Sequence, residues 1–239
     1  MVIAVTGAGG GIGRPLVMRL AEEGHQIVAF GHRSPPEFSP LTVVSEILDV
    51  TSNDEVVAEI IARVVDRVGL IDVWVNNAGA DILTPPLSQA CYWEKWQALV
   101  DTDVTGTLRC CRALPPFMAP NGQIINMAWD HFLSGWGGDE GELYAAAKAA
   151  IVGYSRSLAR SFRAEAIPLR VNIVAPGWVR TKWAESIDSE STARIASETF
   201  SGQWISPLDV AAMVHAMVGM PPHVANGHIF WVNGGDVMG

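Results

Sequence analysis

The sequence predicts an α/β protein, a doubly wound parallel sheet in a three-layer α/β/α arrangement held in one domain, 1–239. Three observations predict it. Short β-branched runs alternate with longer amphipathic stretches along the whole chain. The runs are apolar throughout rather than alternating in polarity, as expected of parallel strands covered on both faces. A glycine-rich turn joins the first run to the first helix. With 239 residues, 49% of them apolar, the chain can bury a large core.

The elements follow in order. Val2 to Val5 is a strand, Ile12 to Glu23 a helix closed by Gly24, and Gln26 to Phe30 the second strand, a βαβ opening. Val43 to Leu48 is the third strand. A helix from about Asn53 to Val68 has Ser52 as its expected cap, with Glu55 completing a capping box. The strand Ile71 to Val75 precedes a long helical stretch from about Tyr92 to Leu114, which Pro115 and Pro116 stop. The strand Gln123 to Met127, the helix Glu142 to Arg163 and the strand Leu169 to Val174 come next. An irregular, tryptophan-bearing segment from Gly177 to Trp204 leads to a helix over Leu208 to Val218 and a last strand, Ile229 to Val232.

Composition excludes several function classes. The net charge of −9 and the lack of clustered Lys and Arg argue against a nucleic-acid partner. No apolar run approaches the roughly 18 residues needed to span a bilayer, and the N-terminus reads as a buried strand rather than a signal peptide. Cys91, Cys110 and Cys111 are odd in number and partly adjacent, so no disulfide framework is expected and a reducing, cytoplasmic setting fits. No metal site is expected.

The chemistry begins at Thr6, Gly7, Ala8, Gly9, Gly10, Gly11, Ile12 and Gly13. Glycine permits the tight turn and a close backbone approach at the point where a dinucleotide pyrophosphate would meet the helix N-terminus. By itself the turn is weak evidence, since an ordinary glycine-rich βα connection is the alternative. Further segments follow it in order: Asp49-Val50, then Asn76, Asn77, Ala78 and Gly79, then Tyr144 with Lys148. Asn172, Pro176, Gly177 and Thr181 come after these, and Gly234-Gly235 near the end. In this order the chain resembles the short-chain dehydrogenase/reductase family over almost its whole length. The turn resembles that family's TGxxxGxG, and the others its NNAG, YxxxK and N-x-x-x-P-G-x-x-x-T segments.

The resemblance implies a Rossmann-like fold, a small-molecule carbonyl or alcohol substrate, a nicotinamide cofactor and assembly as a homodimer or homotetramer. Leu108, Cys111, Leu114 and Ile151 suit an interface or face the sheet. The cofactor would contact Thr6, Gly7, Gly11, Ile12, Gly13, Asp49, Val50, Asn77, Ala78, Gly79, Pro176, Gly177, Val179 and Thr181, with Tyr144 and Lys148 at the nicotinamide ribose. The second strand ends Phe30, Gly31, His32, Arg33, Ser34, with no acid to bond ribose hydroxyls. Arg33 is therefore expected to bind a 2′-phosphate or to be a solvated loop cation, and NADP is favoured over NAD.

Tyr144 and Lys148 lie four apart on a helix and share a face. A nearby cation is expected to lower the phenol pKa from about 10, which suits acid/base work. Two companions depart from the family. The serine after the fifth strand is missing: Ala128 and Trp129 stand at its counted positions, and His131 or Ser134 is its candidate replacement. Trp129 suits a pocket wall. Asp103 occupies the place of an asparagine that supports a proton relay through the lysine. Trp129 and Trp136, facing Trp178, Trp183 and Trp204 on a substrate loop at about 178–206, suit an apolar or ring-bearing substrate, or simply packing. Two functions remain open at this point, a hydride-transferring oxidoreductase and a cofactor-binding protein with little redox activity.

Overall fold

The computed structural model describes residues 1–39 and 42–235. Seven strands form one parallel sheet: β1 (Val2–Val5), β2 (Gln26–Gly31), β3 (Val43–Ile47), β4 (Ile71–Asn76), β5 (Met118–Met127), β6 (Arg170–Pro176) and β7 (Ile229–Val232). Their order is β3-β2-β1-β4-β5-β6-β7. The order reverses between β1 and β4, and the crevice outside the strand C-termini at such a reversal is where open α/β sheets bind ligands.

Alternate strand residues face opposite layers. Ile3, Val5, Ile27, Val75 and Val174 pack against Leu16, Val17 and Leu20 of α1 (Gly13–Glu22) and Val210 and Val214 of α7 (Pro207–Val218). Ala4, Val28, Trp74, Ile124 and Val171 face the other layer. That layer comprises α2 (Asp54–Val68), α4 (Gly106–Ala113) and α5 (Asp139–Ala164). Cys111 and Leu114 are fully buried there and Ile151 is buried as well, so these three face inward; Leu108 alone of the four remains partly exposed.

Several boundaries differ from expectation for local reasons. Asn53, not Ser52, caps α2: its Oδ1 accepts from the Val56 amide at 2.9 Å, and Glu55 makes no reciprocal bond. The stretch from α3 (Tyr92–Leu99) to α4 is interrupted by a π-helical turn over Val100–Thr105, which carries Asp103 inward. Helix α5 starts at Asp139, three residues early, where Glu140 pairs with Lys95 of α3 at 2.7 Å. The segment 178–206 is more ordered than its sequence suggested, with a 3-10 turn over Lys182–Ser186 and a helix, α6 (Ser189–Glu198), capped by Asp188. All three cysteines are free.

A chain of buried polar bonds ties α5 to the sheet. Trp74 Nε1 donates to Asn76 Oδ1 (2.7 Å), Asn76 Nδ2 to Asn126 Oδ1 (2.8 Å) and Asn126 Nδ2 to the Ser155 hydroxyl (2.8 Å), which donates to the Ile151 carbonyl (2.7 Å). Each buried polar group is thereby partnered. The register of α5, and so the height of Tyr144 and Lys148 above the strand ends, is fixed from below.

Candidate active site

The glycine turn is built by contacts only glycine allows. Gly7 has φ +62°, and a Cβ there would stand 2.8 Å from Ala78 Cα. A Cβ on Gly13 would stand 2.2 Å from the Gly7 carbonyl oxygen, and one on Gly11 would stand 2.9 Å from Thr181 Cβ. Thr6 Oγ1 accepts from the Asn77 and Ala78 amides, both at 3.0 Å. Asn77 Nδ2 in turn donates to the Thr6 and Gly7 carbonyls, both at 3.1 Å. The ends of β1 and β4 are thus locked together. Ile12 caps α1 without a side-chain hydrogen bond, and no acid lies in the first turn. A Gly-lined turn leading into an uncapped, acid-free helix N-terminus fits a dinucleotide pyrophosphate, which needs both close backbone approach and positive helix-end potential.

Around the turn, the sequence-predicted residues separate into two groups. Pro176 ends β6, Gly177, Val179 and Thr181 follow it, Thr181 beside Gly11 of the turn, and Val179 is bridged to Ile205. Arg33 is exposed just past β2, and no ion pair of the described residues includes it. Asp49 accepts from the Thr51 amide (2.9 Å) and hydroxyl (2.7 Å) and lies 3.3 Å from His32. Partial burial opposes its charge, but the Thr51 bonds and His32 outweigh that and hold its carboxyl below the ordinary value. The Val50 side chain is buried against Gly106.

Tyr144, Asp103 and Lys148 meet around the backbone of Ala80. The Tyr144 hydroxyl donates to the Ala80 carbonyl at 3.0 Å, and the Ala80 amide donates to Asp103 Oδ1 at 2.7 Å. Asp103 Oδ2 pairs with Lys148 Nζ at 2.7 Å, with both side chains largely or wholly buried. A Cβ on Gly79 would stand 3.0 Å from Asp103 Oδ2, so the glycine of the NNAG segment makes room for this carboxylate. The sequence-based expectation of a lowered phenol pKa is reversed. Burial, with Asp103 and then Asp81 adding to it, pushes the Tyr144 phenol well above its ordinary value. Lys148 has its charge balanced by Asp103 at contact distance, so little of its field is left to favour phenolate.

His131 does not stand beside Tyr144. It is buried, its Nδ1 is 2.8 Å from Asp130 Oδ1, and its ring stacks on Trp129 at 4.9 Å. Trp129 is the ring next to Tyr144, at 6.1 Å. Ser134 is exposed. The two sides of the expected aromatic cleft touch directly, because Trp178 packs against Trp129 (5.6 Å), Trp136 (5.1 Å) and Trp183 (5.5 Å). Sequence reasoning missed Asp130, whose side chain is fully buried, and Ser155. Asp130 adjoins His131 and Ser155 lies two helical turns beyond Lys148, but neither carries a motif signal. A groove of about 640 Å³ lined by Arg156, Arg160, Arg163 and Gly227 lies at the opposite, N-terminal edge of the sheet, remote from these groups.

Among the described residues no group of three His, Cys, Asp or Glu could hold a metal ion. Nor is any described helix long and apolar enough to cross a membrane.

Residues 7–236 match the family model described as enoyl-(acyl carrier protein) reductase. The chain is 29% identical to a 3-oxoacyl-[acyl-carrier-protein] reductase of Thermotoga maritima, covering 99% of this chain and 98% of the relative. It is 31% identical to the reductase of that name from Synechocystis, covering 99% and 97%. The solved structure of ElxO with NADP bound superposes with a TM-score of 0.81 at 24% identity, covering 98% of each chain, and at that identity it shows the fold alone. With the whole of the ordered motif series in place on a seven-stranded Rossmann-like sheet, the chain belongs to the short-chain dehydrogenase/reductase family.

Proposed function

We propose that the chain is an NADP-dependent oxidoreductase acting on a carbonyl/alcohol pair, with Tyr144 as proton donor to the substrate oxygen. The observation that carries this is the Tyr144–Ala80–Asp103–Lys148 cluster, set beside the glycine turn at the strand ends. When bound, the nicotinamide supplies or accepts the hydride. Thr6, Gly7, Gly11, Ile12 and Gly13 would hold its pyrophosphate, and Asp49 with the Val50 backbone its adenine. Asn77, Ala78, Gly79, Lys148 and Tyr144 would hold the nicotinamide ribose, and Pro176, Gly177, Val179 and Thr181 the nicotinamide. The exposed Arg33, with no acid at the end of β2, supports NADP over NAD, and a solved relative of the same fold has NADP bound.

The raised phenol pKa supports the reductive direction. Tyr144 stays protonated through neutral pH, so it is ready to give a proton to an alkoxide developing from a carbonyl. The reverse reaction needs phenolate, which forms only at alkaline pH. The hydroxyl must leave the Ala80 carbonyl to reach the substrate oxygen. Assembly as a homodimer or homotetramer belongs to the same proposal.

A second reading, a cofactor-binding protein with little turnover, is favoured by one observation: Trp129 stands beside Tyr144 where the family has its serine, and His131 is stacked behind it. Titration with NADPH and NADH followed by a ketone and alcohol screen separates the two. Reduction of a ketone that falls about 10²-fold or more in Tyr144→Phe, with NADPH affinity retained, supports the enzyme. NADPH binding without turnover across the panel supports the second reading.

A further inference from the structure

Helix α5 carries its charges in two blocks. Asp139, Glu140 and Glu142 lie at its start, and from Leu143 to its end at Ala164 it has no acid. Arg156, Arg160 and Arg163 fall at i, i+4 and i+7 in the second block and so share a face. That face borders a groove of about 640 Å³ against the loop before β7, with Ala159, Asn226 and Gly227 completing the lining. A Cβ on Gly227 would stand 3.7 Å from Ala159 Cβ, so helix and loop meet there. Asn226 Oδ1 accepts from the Val171 amide at 3.0 Å, which leaves the Asn226 side chain its Nδ2 as donor.

All three arginines are exposed, and among the described residues no ion pair or hydrogen bond engages their guanidinium groups. The loop from Pro221 to His228 has no acid either. Like charges three and four residues apart on a helix repel, so the row destabilises the free protein. Helix-end potential accounts for Arg163, which lies in the last turn, but it fades within one turn and leaves Arg156 and Arg160 in surplus. On a chain of net charge −9, a groove whose side chains offer only donors is fitted to an anion.

The spacing narrows the anion. Seven residues of helix put Arg156 and Arg163 about 10 Å apart along the axis. A single phosphate engages part of such a row, whereas a linear chain of phosphates can follow all of it. Guanidinium forks suit phosphate oxygens, which they meet bidentately. Among the described lining residues there is no aromatic ring on which a base could stack. We propose that the Arg156–Arg160–Arg163 groove is a second ligand site, for a linear oligophosphate, free or part of a nucleotide, held through its phosphates alone. It is separate from the glycine turn and independent of the redox assignment.

The test is calorimetric titration of the full chain with inorganic triphosphate, phosphate, citrate, ATP and GTP, each with and without NADPH. Triphosphate is expected to bind at least tenfold more tightly than phosphate or citrate, with ATP and GTP equal to it and NADPH without effect. Arg156→Gln and Arg160→Gln should each weaken triphosphate roughly 10- to 100-fold, the worth of a charge-assisted bond. Arg112→Gln, which removes another exposed cation from α4, should change it by about twofold at most. Glutamine keeps helix propensity at these exposed positions, so the variants fold. Failure of triphosphate to bind, citrate or phosphate binding as tightly, displacement by NADPH, a preference between ATP and GTP, or an equal loss in Arg112→Gln overturns the proposal.

Discussion

Asp103 sets the electrostatics of the site. Its carboxylate balances Lys148 and holds the Ala80 amide, and its charge adds to the burial that raises the Tyr144 phenol. Asp103→Asn keeps an acceptor for that amide and removes the charge, so the phenol pKa falls. Since alcohol oxidation needs phenolate, the rise of its kcat/KM with pH is expected at lower pH in the variant, while ketone reduction near neutrality changes less. An unshifted profile would show that Tyr144 does not feel Asp103. At the other end of the cofactor cradle, Arg33→Ala is expected to weaken NADPH binding roughly 10- to 100-fold, the worth of a lost charge-assisted bond, and to leave NADH binding unchanged. Equal effects on the two cofactors would remove Arg33 from phosphate recognition. Tyr144, Lys148 and Asp103 were legible as a group because helix spacing and motif order place them. The Ala80 peptide that joins them was not, since a backbone contact leaves no residue-type signal. His131 was misplaced for a related reason: a count along the chain gives its distance from Tyr144 in sequence, but the 3-10 turn over Asp130–Phe132 and the stack on Trp129 turn its ring away.

Strands and the helices between them were legible because burial on both faces makes β1, β2 and β4 predominantly apolar, with Gln26, Asp72 and Asn76 as their polar members, and because Gly24 and the Pro115-Pro116 pair mark ends. The π-helical turn at Val100–Thr105 was not, since the segment contains neither Gly nor Pro to mark an interruption of the helix. Helix α6 was missed because its polar residues carry little apolar periodicity. The glycines of the turn and of α5 can be told apart by experiment. In Gly13→Ala the methyl group meets the Gly7 carbonyl and Ala8 Cα, both backbone, so the turn must deform; a loss of about 1–3 kcal/mol in thermal stability and a large loss of NADPH affinity are expected. Gly153→Ala on α5 meets nothing within 4 Å, and helix propensity predicts a gain of about 0.5–1 kcal/mol with cofactor binding unchanged. Comparable losses in both variants would mean that the turn imposes no special steric demand.

Across the whole molecule, the site works only if two layers keep their register, because the glycine turn belongs to the C-terminal end of the interior strand β1 whereas Tyr144 and Lys148 ride on α5. Hydrophobic packing between Val171, Ala159 and Phe162 favours burial but not one register over another. The bonds from Trp74 through Asn76 and Asn126 to Ser155 supply that selection, since a slip of α5 would leave several buried polar groups unmatched at once. Cys111 sits against the same network, its thiol pushed up to about 12 by burial and so inert as a nucleophile. Asn126→Ala takes the oxygen acceptor from the Asn76 amide and the incoming donor from the Ser155 hydroxyl, which keeps its bond to the Ile151 carbonyl, and a loss of about 1–3 kcal/mol is expected in urea unfolding, read as a lower midpoint at unchanged slope. Because α5 loses its anchor, turnover should fall more than NADPH affinity, which the sheet-borne turn largely supplies. An Asn126→Ala protein with wild-type kcat and only lowered stability would show that the network supports the core without positioning Tyr144.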